Sequence, residues 1–192
     1  MMPRVEMLVM GASAGGINTL GFIFERFGKD FPLPVLVTKH VGVRDEYSML
    51  RFLSSQSQLP VEVAMDKESI KQGHIYLAPA GYHMQLEERG VISLSVDERV
   101  CHVRPAIDVL FQSAADVYGE ALAAVVLSGA NEDGSKGVCR VKRSGGITIA
   151  QTPQTADIGV MPASAIKTGC IDYVVDLEQL PGFLRGIPTL ER

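Results

Sequence analysis

Short apolar runs alternate along this chain with stretches of helical period. Val5–Met10, Pro32–Thr38, Val61–Ala64, Ile75–Ala78, Ala121–Leu127, Gly146–Ala150 and Ile171–Val175 read as buried strands. Between them, Asn18–Phe27 puts Leu20, Ile23, Phe24 and Phe27 on one helical face, and Asp45–Ser54 reads as a second helix. Pro105 opens a third, with Ile107, Leu110, Phe111, Ala114 and Val117 on its apolar side. Gly137–Lys142, Ser164–Lys167 and Leu177–Leu184 complete the helical set. This βαβ alternation predicts an α/β fold, a doubly wound and mostly parallel sheet with helices on both faces. Tyr82–Glu87 and Val91–Ser95 instead alternate apolar and polar residues around Glu88-Arg89-Gly90, the pattern of a small antiparallel hairpin insert. Ala121–Leu127 is the most apolar run and belongs at the sheet's centre. No linker, repeat or low-complexity stretch divides the chain, so residues 1–192 are expected to form one domain.

Composition narrows the function classes. The 192 residues are 46% hydrophobic and 21% charged, the balance of a folded protein and not a disordered one. A net charge of -4, without a Lys/Arg run interleaved with aromatics, argues against a nucleic-acid partner. No apolar run reaches membrane-span length and no signal-peptide pattern precedes the first strand, so a cytoplasmic location without membrane insertion is expected. Cys101, Cys139 and Cys170 are odd in number and far apart, so neither a disulfide framework nor a zinc site is suggested and reduced, buried thiols are expected.

The chemistry concentrates where strands end. Leu8-Val9-Met10-Gly11-Ala12-Ser13-Ala14-Gly15-Gly16 runs from an apolar strand through a G-x-S-x-G turn into a helix, the context of a nucleophile elbow. A phosphate-cradling turn is the competing reading, although Gly11, Gly15 and Gly16 depart from the dinucleotide spacing. A nucleophilic Ser13 needs a base, and of four histidines His40 follows a strand and so lies at the same sheet edge. His74 precedes its strand, and His83 and His102 belong to the hairpin and to a helix entry. Asp133, in the loop Ser128-Gly129-Ala130-Asn131-Glu132-Asp133-Gly134, is the candidate to orient the imidazole, with Glu132 as a competitor and an Asp-Gly turn as the plain alternative. Gly129–Lys136 nearly matches a Walker A loop, but its lysine is one place late and Glu132 would repel phosphates.

These segments, together with Lys39-His40, Gly73-His74-Ile75-Tyr76-Leu77-Ala78-Pro79, Arg104-Pro105-Ala106-Ile107-Asp108 and Gly159-Val160-Met161-Pro162-Ala163-Ser164, resemble in order the catalytic domain of the CheB-type chemotaxis protein-glutamate methylesterases. The resemblance implies Ser13 as nucleophile, His40 as base and Asp133 as orienting acid. It also implies Ala14, Ala130 and Met161 as oxyanion or substrate-site residues. It further implies hydrolysis of γ-glutamyl methyl esters on the cytoplasmic domain of methyl-accepting chemoreceptors, with glutamine deamidation as a secondary activity and no metal or organic cofactor. The family's N-terminal receiver domain has no counterpart here, so a separate regulator or methyltransferase is a further expected partner. Three motifs depart from the family pattern: Ala14 replaces a threonine, Lys39-His40-Val41-Gly42 replaces Gln-His-Met-Pro, and Ala130-Asn131-Glu132 replaces Met-Gly-Ala. A non-catalytic receptor-binding module and a small-ester hydrolase of the same fold are the alternatives these departures leave open.

Overall fold

The computed structural model describes residues 4–187. Seven parallel strands form one sheet in the order β3-β4-β2-β1-β7-β8-β9. They are β1 (Met7–Ala12), β2 (Val35–Lys39), β3 (Val61–Val63), β4 (Ile75–Leu77), β7 (Leu122–Val126), β8 (Ile147–Gln151) and β9 (Tyr173–Val175). A separate antiparallel pair, β5 (His83–Glu88) and β6 (Val91–Ser95), is the expected hairpin. The expected α/β architecture is therefore observed, and β7 lies one place from the centre strand β1.

The period-two alternation of each central strand divides the core in two. Leu8, Met10 and Ala12 face α1 (Gly16–Phe27), α2 (Glu46–Gln56) and α6 (Leu180–Gly186), with Phe24, Phe27, Leu53 and Leu184 among their partners. Met7 and Val9 face the opposite layer, where the hairpin packs beside α3 (Ile107–Tyr118), α4 (Ser135–Arg143) and α5 (Val160–Lys167). Each fully buried Phe or Leu contributes about 1.5–3 kcal/mol by leaving water, so both faces of the sheet are committed.

Two expectations need correction. Helix α5 starts at Val160, four residues before the predicted Ser164. Gly159 and Pro162 look like breakers in sequence, but Pro162 sits in the first turn, where amides have no intrahelical acceptor and a missing N–H costs nothing. The cysteines are not three buried thiols. Cys139 of α4 and Cys170, which precedes β9, form a disulfide with Cα atoms 5.0 Å apart, and Cys101 is exposed. Thirty-one residues separate the paired sulfurs in sequence, and only the packing of α4 beside the α5–β9 connection brings them together.

Candidate active site

Register places the site before any side chain is considered. Ala12 pairs with Lys39 and Gly11 with Val126, so the residues following β1, β2 and β7 emerge side by side at the carboxyl edge of the three innermost strands. Ser13 follows β1 directly, His40 follows β2 directly, and Asp133 closes the loop after β7. The backbone is locked across these ends. Ser13 N–H donates to the Ser128 carbonyl (2.8 Å), His40 N–H to the Ala12 carbonyl (3.1 Å), and Leu127 N–H to the Gly11 carbonyl (2.9 Å).

The elbow depends on glycine in two ways. Gly15 has φ +75°, the left-handed region, and a Cβ there would lie 2.5 Å from Asp157 Cβ and 2.8 Å from Ser128 Oγ. A Cβ on Gly11 would lie 2.4 Å from Ile107 Cγ2, so this glycine is what allows the start of α3 to press against the strand. That approach matters because the first amides of α3 serve Asp133. Ile107 N–H donates to its Oδ2 (2.7 Å) and Asp108 N–H to its Oδ1 (3.0 Å), the favoured setting of an anion at a helix N-terminus. Asp133 is fully buried, and its carboxylate faces His40 with Oδ2 2.7 Å from Nε2. The opposite ring nitrogen, Nδ1, lies 3.0 Å from Ser13 Oγ.

One protonation pattern satisfies all of these contacts. With the proton on Nε2, the imidazole donates to Asp133 and leaves the Nδ1 lone pair to accept the Ser13 hydroxyl. The ring is thus used in the reverse sense from chymotrypsin, where the nitrogen facing the serine is Nε2. Asn131 adds a third neighbour: its Oδ1 accepts Asp133 N–H (3.1 Å), and its Nδ2 lies 3.5 Å from His40 Nδ1.

The remaining site expectations separate. Ala14 and Ala130 are exposed beside Ser13 and Asn131, and among the described residues neither N–H has a protein acceptor. Met161 is fully buried: its N–H donates to the Gly129 carbonyl (2.9 Å) and its side chain fills the space a Cβ on Gly129 would occupy. It supports the β7 loop from beneath. Glu132 points to solvent and does not compete with Asp133. His74 lies at the opposite edge of the sheet with Nδ1 2.9 Å from Glu62 Oε1. His83, buried in the hairpin, spans Ala106 N–H (3.2 Å) and the Glu98 carbonyl (3.0 Å). In the near-Walker loop the amides of Gly129, Asp133 and Ser135 are already taken, by the Ile158 carbonyl (2.9 Å), Asn131 Oδ1 (3.1 Å) and the Glu132 carbonyl (3.1 Å).

Two buried residues that lie in the motifs but carry no predicted role there hold the site together. Ser128, fully buried, donates through Oγ to the Ala14 carbonyl (2.8 Å) and accepts from Ile158 N–H (3.0 Å), and its own N–H is met by Gln151 Oε1 (3.1 Å). It ties the elbow to the segment before α5. Asp108 joins the starts of α3 and α4, and burial pushes its carboxyl above the ordinary range despite the opposing hydrogen bond from Gly137. A strand-end serine and the second residue of a helix carry no sequence signal for such roles, because the partners are over twenty residues away.

Cys101, Asp108 and Asp133 bring one ligand atom each within 4.8 Å of one another. Both oxygens of Asp133 and one of Asp108 are engaged by amide donors, which suits carboxylates that orient neighbours more than an open ligand set. Burial, with Asp133 and Asp108 nearby, raises the Cys101 thiol above its ordinary value and so opposes thiolate formation.

Comparison with known proteins identifies the family and the fold. Residues 8–184 match the CheB methylesterase family. A Leptospira interrogans protein, provisionally named protein-glutamate methylesterase/protein-glutamine glutaminase, is 41% identical over 175 residues, 91% of each chain. A protein-glutamate methylesterase/protein-glutamine glutaminase of Clostridium acetobutylicum is 36% identical over 92% of this chain, which spans 51% of that relative's length. The crystal structure of the Thermotoga maritima CheB methylesterase catalytic domain superposes with a TM-score of 0.90 at 35% identity, over 94% of this chain and 97% of that one.

Proposed function

The chain belongs to the CheB methylesterase family, and on that premise we propose that it hydrolyses γ-glutamyl methyl esters of methyl-accepting chemoreceptors through Ser13, His40 and Asp133. The observation that carries this reading is the relay from Ser13 Oγ to His40 Nδ1 (3.0 Å) and from Nε2 to Asp133 Oδ2 (2.7 Å) at one sheet edge.

In this mechanism Nδ1 takes the Ser13 proton as Oγ attacks the ester carbonyl carbon. The carbonyl π electrons move to oxygen, and the exposed amides of Ala14 and Ala130 are its proposed donors. The tetrahedral intermediate collapses, the C–O bond to the methoxy group breaks, and the Nδ1 proton leaves with methanol. Water then enters, gives its proton to Nδ1 and attacks the glutamyl ester. Collapse of the second intermediate returns that proton to Ser13 and frees the glutamic acid side chain, which gives its own proton to solvent to become the carboxylate. Throughout, Asp133 keeps the Nε2 proton in place and balances the imidazolium charge without accepting the proton. A glutamine side chain follows the same path with ammonia as the leaving group.

The test is methanol release from a tritium-methylated chemoreceptor signalling fragment. Wild type should release label and Ser13→Ala and His40→Ala should not, while Asp133→Ala should release it far more slowly. Wild-type protein that binds the fragment but releases no methanol would overturn the proposal in favour of a binding module.

A further inference from the structure

Beside His40 a groove of about 300 Å³ is lined by Val41, Gly42, Arg99, Val103 and Arg104. Its two guanidinium groups distinguish it from the rest of the edge. Arg104 is held in place by two bonds from Nη1, to the carbonyls of Val96 (2.6 Å) and Asp97 (2.9 Å), and its buried Nε has no partner. Arg99 is exposed. Among the described residues, neither arginine is paired with a carboxylate, whereas Arg89, Arg140 and Arg185 each are. Of the acids nearby, Asp133 lies behind the His40 ring and is held by the amides of Ile107 and Asp108, and Asp45 approaches Gly42 and acts electrostatically on Lys39, whose Nζ is turned to the His40 carbonyl (2.9 Å). The groove therefore carries, next to the His40 ring, two guanidinium groups that form no ion pair among the described residues.

Resting on the reading above, we propose that this groove is a carboxylate subsite that takes an acidic side chain flanking the esterified glutamate. The groove opens onto His40, so in a polypeptide substrate the residue it takes is one close in sequence to the glutamate being hydrolysed. In a polypeptide substrate the anionic groups that match a planar guanidinium are the carboxylates of Asp and Glu. Arg104 sets a fixed positive wall and Arg99, free to move, closes on the incoming carboxylate.

The experiment uses short peptides carrying one glutamate γ-methyl ester, with either Glu or Gln on its N-terminal or its C-terminal side. For the wild type, kcat/KM should favour Glu over Gln by about fivefold on one of the two flanks, the difference lying in KM. Arg99→Ala should bring that ratio to about 1, and Arg99→Glu should invert it. Because the ratio is taken within one preparation, partial misfolding of a variant cancels. A wild-type ratio of 1 on both flanks, or an unchanged ratio in Arg99→Ala, overturns the subsite and leaves the esterase reading standing. If no ester peptide is turned over while 4-nitrophenyl acetate is, the methylesterase reading fails and the subsite fails with it.

Discussion

Two histidine–carboxylate pairs stand at opposite edges of the same parallel sheet. His40 and Asp133 meet at 2.7 Å, and His74 and Glu62 at 2.9 Å, a difference too small to separate a catalytic pair from a surface one. What separates them is the surroundings. The Asp133 side chain is 0% exposed and His40 11%, against 37% for Glu62 and 24% for His74. Asp133 is fixed by two amides of α3, while Glu62 has water around it and no backbone donor among its described contacts. In His40 the free ring nitrogen meets a hydroxyl, whereas no such partner faces His74. Burial strengthens an electrostatic contact and backbone donors remove the cost of organising it, so chemistry is expected at one edge only.

The sharpest way to break the comparison is Asp133→Asn. The variant keeps the shape but offers an N–H where the amide of Ile107 or Asp108 needs an acceptor, and it no longer selects the Nε2–H tautomer. We expect kcat on a glutamate methyl ester to fall by about 10⁴-fold, as in other serine triads, and the melting temperature to drop. A loss under tenfold would show that Asp133 does not orient His40.

A smaller effect belongs to Asp108, which supports the same helix starts. Its folded-state carboxyl is raised by burial, so the folded protein holds that proton more tightly than the unfolded chain. Stability from this group is present below the ordinary carboxylate range and is lost as pH climbs through the raised value. Asp108→Asn retains an acceptor for Gly137 N–H but does not ionise. Its melting temperature relative to wild type should therefore rise by a few degrees between about pH 4 and pH 7, in a calorimetric pH series. A difference that shrinks over this range would contradict the assignment.

The smallest effect is expected at the opposite edge. Glu62→Gln should leave kcat/KM unchanged and shift stability by less than about 0.5 kcal/mol, since an exposed pair gains little from Coulomb attraction. A catalytic defect in this variant would show that the two edges communicate.

The candidate edge is readable in the sequence because each candidate residue lies at or just beyond the end of an apolar run, and in a parallel sheet such ends share one edge. Ser13 and His40 need only that topology. Asp133 is harder to read, since its loop also reads as an Asp-Gly turn with Glu132 as a competing carboxylate, and the family motif adds weight to a candidate that loop position alone leaves weak. The roles of Ser128, Gln151 and Asp108 could not be read at all: the contacts that tie them to the site span 23 to 114 positions. The disulfide escaped for the same reason, because two cysteines thirty-one residues apart in consecutive βα units are neighbours only after α4 and α5 have packed.

The strand order has a consequence for how the protein comes apart. The elements that deliver Ser13, His40 and Asp133 are β1, β2 and β7, three adjacent strands each flanked on both sides by another strand. The outermost strands, β3 and β9, are three residues long and contribute nothing to the relay. Fraying at the rims, the cheapest opening available to a sheet, therefore leaves the relay intact. Opening the framework beneath it requires separating strands that are hydrogen-bonded on both sides. The strand framework beneath the proposed site is thus expected to be among the last parts of the sheet to open, out of reach of a restless perimeter.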